Sequence, residues 1–155
     1  MAAHRIRDSG VGGPLRRRGR PLPVLLDSNF LLVPILFGVD IFEEIPKLLD
    51  RDVDFILLRP VYEEMRRLAI EGSPKVRKEA SSALELSRGR CLVMDFEASG
   101  EEEVDDILLR AAEELRCPVA TNDGALRRRL RERGVPVIYL RQKSLLKIDG
   151  WVPDP

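Results

Sequence analysis

Residues 118–123 read PVATND and residues 22–27 read LPVLLD, so two short apolar runs each end in an aspartate. Apolar runs of this length, bounded by prolines and polar residues, are typical of buried strands. In an open parallel sheet, the carboxyl ends of the strands line the ligand crevice. We therefore predict that Asp27 and Asp123 face one cleft, although each aspartate taken alone is better explained as a turn former or a helix N-cap.

Short apolar runs alternate with helical patterns from residue 21 onward. The predicted strands are residues 22–26, 54–58, 91–95, 118–121 and 136–140. The predicted helices are residues 40–51, 60–72, 74–88, 101–116 and 124–133. This alternation predicts an α/β fold, a three-layer α/β/α sandwich with a central, mainly parallel sheet. Residues 143–155 are expected to add a short edge strand and an irregular end.

The 155-residue length, with 44% hydrophobic and 34% charged residues, fits one domain with a flanking tail. That domain is predicted over residues 21–150, followed by a C-terminal tail over residues 151–155. Residues 1–20 contain six arginines and one aspartate and show no apolar periodicity. They are predicted to form a disordered basic tail without a catalytic role, although contact with RNA phosphates is an alternative.

The overall composition restricts partners and location only weakly. Lys+Arg and Asp+Glu are equal at 26 each, so the net charge neither supports nor excludes a nucleic-acid partner. Cys91 and Cys117 lie far apart in apolar runs, which predicts buried free thiols rather than a disulfide or a zinc knuckle. No apolar stretch is long enough to span a membrane, and the N-terminus lacks the apolar core of a signal peptide. We therefore expect a cytoplasmic protein.

Helical periodicity selects two further acids. In the helix predicted over residues 60–72, Glu64 borders the apolar stripe, whereas Glu63 points nearly opposite to it. In the helix that precedes the PVATND run, Asp105 borders the stripe and Asp106 lies on the far side. Glu64 and Asp105 are therefore the better candidates for a cleft near the strand ends. The alternative for each is a solvated charge on an exposed helix face.

Four acids from four elements are thus expected to converge: Asp27, Glu64, Asp105 and Asp123. Ionised carboxylates within several ångströms repel one another, so such a cluster is stable chiefly with a cation inside it. Oxygen ligands favour Mg²⁺ or Mn²⁺ over zinc. The only histidine, His4, lies in the tail, which argues against a histidine general base or a Ser-His-Asp hydrolase. Metal-activated water is the remaining chemistry.

The motifs around these acids resemble, in their order, those of the PIN-domain nucleases. They are LLDSN at 25–29, VYEEM at 61–65, VDDIL at 104–108 and ATND at 120–123. The resemblance covers residues 22–150 and is strongest to the Fcf-type branch, archaeal and eukaryotic proteins linked to ribosomal RNA processing. VapC toxins share the acids, although many of them carry a bulky aromatic residue where this chain has Leu126.

The resemblance implies a PIN-like fold and an RNA-cutting activity dependent on Mg²⁺ or Mn²⁺, which leaves 3′-hydroxyl and 5′-phosphate ends. It also implies that Ser28, Asn29 and Thr121 support the acids by hydrogen bonds. The distance back from Asp123 in the family pattern selects Asp105 as the third acid, in agreement with the helical periodicity.

We predict that Asp27, Asp105 and Asp123 hold one or two metal ions directly or through water. Glu64 is expected to complete the cage or to orient the attacking water. Five arginines follow the last acid on one predicted helix and are candidate contacts for RNA phosphates. They are Arg127, Arg128, Arg129, Arg131 and Arg133. The alternative is an exposed arginine-rich helix that is partly neutralised by Glu132.

Other functions and partners stay open at this point. A VapC-type toxin would need an antitoxin, whereas an RNA-processing enzyme would have a pre-ribosomal partner. A non-cleaving RNA-binding or assembly factor with the same fold is a further alternative, and a homodimer is compatible with apolar helices at the sheet margin. A phosphatase or receiver-like domain would require a second acid beside Asp27 or at Asn29, which is missing.

Overall fold

A single mainly parallel sheet organises the part of the chain that the computed structural model describes, residues 3–5 and 20–154. Its strands are β1 (Ala3–Arg5), β2 (Leu22–Leu26), β3 (Val53–Leu58), β4 (Cys91–Met94), β5 (Val119–Ala120), β6 (Val137–Arg141) and β7 (Leu145–Asp149). They lie in the order β1-β4-β3-β2-β5-β6-β7. The five inner strands are parallel, while β1 and β7 pair antiparallel at the two edges.

Helices connect these strands and flank the sheet. They are α1 (Ser28–Leu31), α2 (Val33–Phe37), α3 (Ile41–Leu49), α4 (Arg59–Glu71), α5 (Pro74–Ser87), α6 (Val104–Leu115) and α7 (Gly124–Glu132). Crossover connections between parallel strands place helices on the faces of the sheet. The sheet and its helices confirm the predicted α/β fold class.

The inner strands are buried on both faces, which explains their continuous apolar runs. Val24, Leu25 and Leu26 are neighbours in β2, and all three are fully buried. A strand with one solvent-facing side would instead alternate apolar and polar residues. The helices contribute amphipathic stripes to the same core, as Ile107 and Leu108 of α6 show. Burial on both faces therefore stabilises the sheet. Asp27 and Asp123 lie beyond the carboxyl ends of its strands β2 and β5.

The sequence did not predict α1 or α2, which lie between β2 and α3. Both helices are too short to display a helical repeat of apolar residues. Their ends are set by single residues instead. The side chain of Asp27 caps α1, and Gly38 ends α2 with a left-handed backbone, φ 68°.

The N-terminal segment differs from the expected disordered tail at residues 3–5, which form β1 against β4. Edge pairing uses backbone hydrogen bonds, so it does not require the apolar periodicity on which the prediction relied. Residues 6–19 of the predicted tail lie outside the described residues. At the other end, β7 confirms the expected edge strand, and Trp151 beyond it is 77% exposed.

Cys91 and Cys117 are buried and do not form a disulfide with each other, as predicted. Burial raises the pKa of the Cys117 thiol to about 12, so this thiol stays protonated near neutral pH. Within the described ranges, no helix combines the length and apolar character needed to cross a membrane.

A close approach between α4 and α5 yields a test of the packing. Gly72 lies at their junction, where a Cβ atom would come within 2.7 Å of both the carbonyl oxygen of Leu68 and Cγ1 of Val76. Gly72→Ala is therefore expected to lower the free energy of unfolding by about 1–3 kcal/mol, measured by urea denaturation. Gly100→Ala is the matched control, because a Cβ there meets nothing within 4 Å. Equal stability of the two variants would contradict this packing.

Candidate active site

Asp27 is the buried anchor of the site, with only 5% of its surface exposed. It follows β2 directly, and its backbone N–H donates to the carbonyl oxygen of Ala120 at 3.0 Å. Its Oδ1 accepts from the Ser28 N–H at 2.8 Å. Its Oδ2 accepts from Asn29 Nδ2 at 3.0 Å and from the Thr121 hydroxyl at 2.7 Å. The three residues expected to support the acids all donate to this carboxylate.

Asp123 follows β5 and caps α7. Its Oδ1 accepts from the backbone N–H groups of Ala125 and Leu126 at 2.9 and 3.1 Å. Its own N–H donates to the Thr121 hydroxyl oxygen at 3.1 Å, so one hydroxyl links Asp123 to Asp27. Both aspartates are thus helix caps, but capping occupies only Oδ1 of Asp123. Among described residues, its Oδ2 has no hydrogen-bond donor.

Two asparagines join the loop that contains Asp27 to the loop that contains Asp123. Asn29 holds Asp27 and accepts, through Oδ1, a hydrogen bond from the Asn122 N–H at 3.0 Å. The side chain of Asn122 accepts in turn from the Leu140 N–H at 2.9 Å, which attaches the loop to β6. Sequence reasoning missed Asn122. Its only signal was a polar residue between a strand and a helix, and its partner lies 18 residues later.

The charges around Asp27 show which acids are its neighbours. Burial raises the pKa of the Asp27 carboxyl above its ordinary value, while hydrogen bonds from Thr121 and Ser28 oppose the rise. Nearby Glu64 and Asp123 raise the pKa further by repulsion. Glu64, on the border of the buried stripe of α4, is therefore within electrostatic reach of Asp27.

Asp105 joins the same group from the first turn of α6. Burial raises the pKa of the Asp105 carboxyl, and repulsion from Asp27 and Asp123 raises it further, against a lowering by Arg129. No hydrogen bond or ion pair links the Asp105 side chain to the described part of the chain. The neighbouring Asp106 binds Arg129 instead. The structure thus places Asp27 within electrostatic reach of the other three predicted acids.

The donor chemistry of this cluster fits a hard divalent cation. All its potential ligands are carboxylate oxygens, and a cation would offset the burial and the repulsion that together raise the pKa of Asp27 and of Asp105. Over residues 3–5 and 20–154, no three His, Cys, Asp or Glu side chains already form a metal-binding group.

The arginines of α7 mostly form ion pairs within the protein, and their role as RNA contacts stays a prediction. Arg127 and Arg131 bind Asp149, Arg129 binds Asp106, and Arg133 binds Glu113. The described residues offer no such acid to Arg128, whose guanidinium lies beside Gly124 at the start of α7. Sequence periodicity could not separate these arginines, because their partners lie on other elements. Arg128 differs from these arginines in having no ion pair with an acid among the described residues.

Residues 24–143 match the family model described as a PIN like domain. Ribonuclease VapC4 of Methanocaldococcus jannaschii is 30% identical over 130 residues, which are 83% of this chain and 98% of that protein. Ribonuclease VapC9 of Archaeoglobus fulgidus is 30% identical over 127 residues, or 81% of this chain and 87% of that protein.

Solved structures share the fold. The PIN domain endonuclease Utp24 superposes with a TM-score of 0.72 at 23% identity, covering 86% of this chain and 96% of Utp24. A domain of a functionally unknown protein from Methanocaldococcus jannaschii gives a TM-score of 0.56 at 16% identity, covering 86% of this chain and 99% of that domain.

Burial and repulsion both disfavour the ionised Asp105 carboxylate, so replacing Asp105 is predicted to stabilise the protein. Because folding raises the pKa of Asp105, its ionised form disfavours the folded state at neutral pH, and this cost disappears as the pH falls to the unfolded value near 4. Without metal at about pH 7, Asp105→Asn should melt at a higher temperature than the wild type, with a stability gain of less than about 1 kcal/mol because solvent screens this partly exposed carboxylate. The gain should shrink toward pH 4.

The melting temperatures are measured by calorimetry in EDTA and in Mg²⁺. Mg²⁺ should stabilise the wild type more than Asp105→Asn. Asp106→Asn is the matched control, because its carboxylate is paired with Arg129 and its loss should give no gain. A lower melting temperature for Asp105→Asn than for the wild type would contradict the repulsion.

Proposed function

Because this chain belongs to the PIN-like domain family, we propose that it is a metal-dependent endoribonuclease. Family membership confirms the resemblance predicted from the acidic motifs. The observation that supports the proposal is that Asp27, directly after β2, lies within electrostatic reach of Glu64, Asp105 and Asp123. VapC4 and VapC9, two relatives of this chain, are named ribonucleases, which supports RNA as the substrate.

In this proposal, Asp27, Asp105 and Asp123 hold Mg²⁺ or Mn²⁺. When bound, the ion would acidify water and stabilise negative charge on the scissile phosphate. The hydrogen bonds from Thr121 and Asn29 orient the Asp27 carboxylate, and the bond from Thr121 favours its charged form.

Glu64 would accept a hydrogen bond from the attacking water and direct it to phosphorus. The water oxygen would form the new P–O bond and give up a proton, while the bond from phosphorus to the 3′-oxygen breaks and that oxygen takes up a proton from solvent. The products are a 5′-phosphate and a 3′-hydroxyl. Arg128, beside the first turn of α7, would contact a backbone phosphate near the cleft.

Two biological roles are consistent with this chemistry. The Fcf-type motifs favour a role in the processing of RNA, including ribosomal RNA. An enzyme with that role would have a pre-ribosomal partner. A toxin ribonuclease with an antitoxin partner is favoured by the 30% identity to VapC4 over most of both chains. A non-cleaving RNA-binding assembly factor is the alternative to both. A cytoplasmic location and a homodimer remain predictions.

The decisive test is cleavage of labelled structured and single-stranded RNA in Mg²⁺, Mn²⁺ or EDTA. The Asp27→Asn, Asp123→Asn double variant should lose at least about a hundredfold in rate, the upper end of the effect of losing a single group that supports a metal ligand. Circular dichroism establishes that the variant is folded.

Two adjacent glutamates on α4 provide a matched pair. Glu64→Gln should reduce cleavage strongly, whereas Glu63→Gln should not, because Glu63 is half exposed and lies near Arg66. Cleavage that persists in EDTA or in the folded double variant would overturn the proposal. RNA binding without cleavage would instead favour the assembly factor.

A further inference from the structure

Two rows of side chains hold α7 against the rest of the protein. Leu126 and Leu130 form one row and are fully buried in the core. Arg127 and Arg131 each come one residue after these leucines. They therefore form a second row that is turned by about 100° around the helix axis. Both arginines reach the same acid, Asp149. A helix held on two faces is fixed in rotation as well as in distance.

The contacts of Asp149 are divided evenly between the arginines. Arg127 Nε lies 3.0 Å from Asp149 Oδ2, and Arg131 Nε lies 3.1 Å from Asp149 Oδ1. All three side chains are only about one-third exposed, at 34%, 34% and 36%, so water screens these pairs less than it screens fully exposed ones. Asp149 is the last residue of β7 and lies opposite Val137 in β6. It therefore attaches α7 to the β6–β7 hairpin.

Two further contacts restrain the same arginines. The guanidinium of Arg127 lies over the ring of Tyr139, with its carbon 3.7 Å from the ring centroid. Arg131 also donates to the carbonyl oxygen of Val135 at 3.3 Å. Gly150, next to Asp149, permits the close approach of Arg131, since a Cβ atom there would lie 2.5 Å from its terminal nitrogen. The arginines are therefore built into the fold.

The rotation of α7 matters because the first turn of this helix sets the direction of the Asp123 carboxylate. One oxygen of Asp123 receives the N–H groups of Ala125 and Leu126, so its other oxygen points where the helix directs it. We propose that Asp149 is a positioning residue: by holding Arg127 and Arg131, it aims Asp123 at the acidic cluster. This inference rests on the proposed metal-dependent function.

The test compares Asp149→Asn with the wild type and with Glu113→Gln. Both variants replace a carboxylate by an amide and weaken an ion pair to an arginine at the C-terminal end of α7. Glu113, however, holds only the more exposed Arg133, at the end far from Asp123. Binding of Mn²⁺ without RNA is measured by titration calorimetry, and melting temperatures are recorded without metal.

Asp149→Asn should bind Mn²⁺ about three- to tenfold more weakly, somewhat less than the ~10–100-fold loss typical when a ligand's direct hydrogen-bonding partner is removed. Glu113→Gln should bind Mn²⁺ like the wild type. Asp149→Glu, which retains the charge, should recover part of the affinity. In cleavage assays, Asp149→Asn should need more Mn²⁺ for half-maximal rate while the KM for RNA is unchanged.

Three outcomes would overturn the assignment. Equal Mn²⁺ affinity in Asp149→Asn and Glu113→Gln would make Asp149 a purely structural residue. Tighter RNA binding with unchanged Mn²⁺ affinity would mean that Asp149 masks RNA-binding arginines. If the wild type binds no Mn²⁺, the proposed function itself fails. If the wild type binds Mn²⁺ and Asp149→Asn binds it equally well, only the positioning role of Asp149 is rejected.

Discussion

The parallel register between β2 and β5 is the constraint on which the candidate site depends. Leu26 lies opposite Ala120, so the next residue of each strand, Asp27 and Thr121, arrive side by side. The backbone bond from Asp27 to Ala120 fixes this pairing, and the Thr121 hydroxyl then reaches the Asp27 carboxylate at 2.7 Å. A slip of one residue would reverse the faces of the side chains and separate the two.

This register gathers carboxylates where solvent screens them poorly. Asp27 is almost fully buried, and its pKa is raised even though three donors hold it. Asp105 lies nearby without a hydrogen-bonding partner in the described chain. Repulsion of this kind disfavours the folded protein unless a cation is present, and perturbed acids of this kind cluster at functional sites. Stability and metal binding are therefore linked through the same few side chains.

The positive charge of α7 is distributed unevenly by the tertiary structure. Most of its arginines meet acids from other elements, and Arg128 at the cleft end is the one left beside the proposed substrate path. RNA would thus be attracted locally rather than by a broad basic surface, in keeping with equal numbers of basic and acidic residues. The same ion pairs orient the helix that carries Asp123.

The sequence by itself determined the alternation of strands and helices, and it distinguished Glu64 from Glu63, because periodicity is a local property that burial imposes on each element. It did not reveal α1, α2 or β1, since these are too short to show a period or depend on backbone pairing. Only the tertiary structure decided that Asp149 holds the arginines of α7 and that Asn122 attaches the site to β6. Those contacts join residues 18 or more positions apart, and they exist only once the hairpin packs beside the helix.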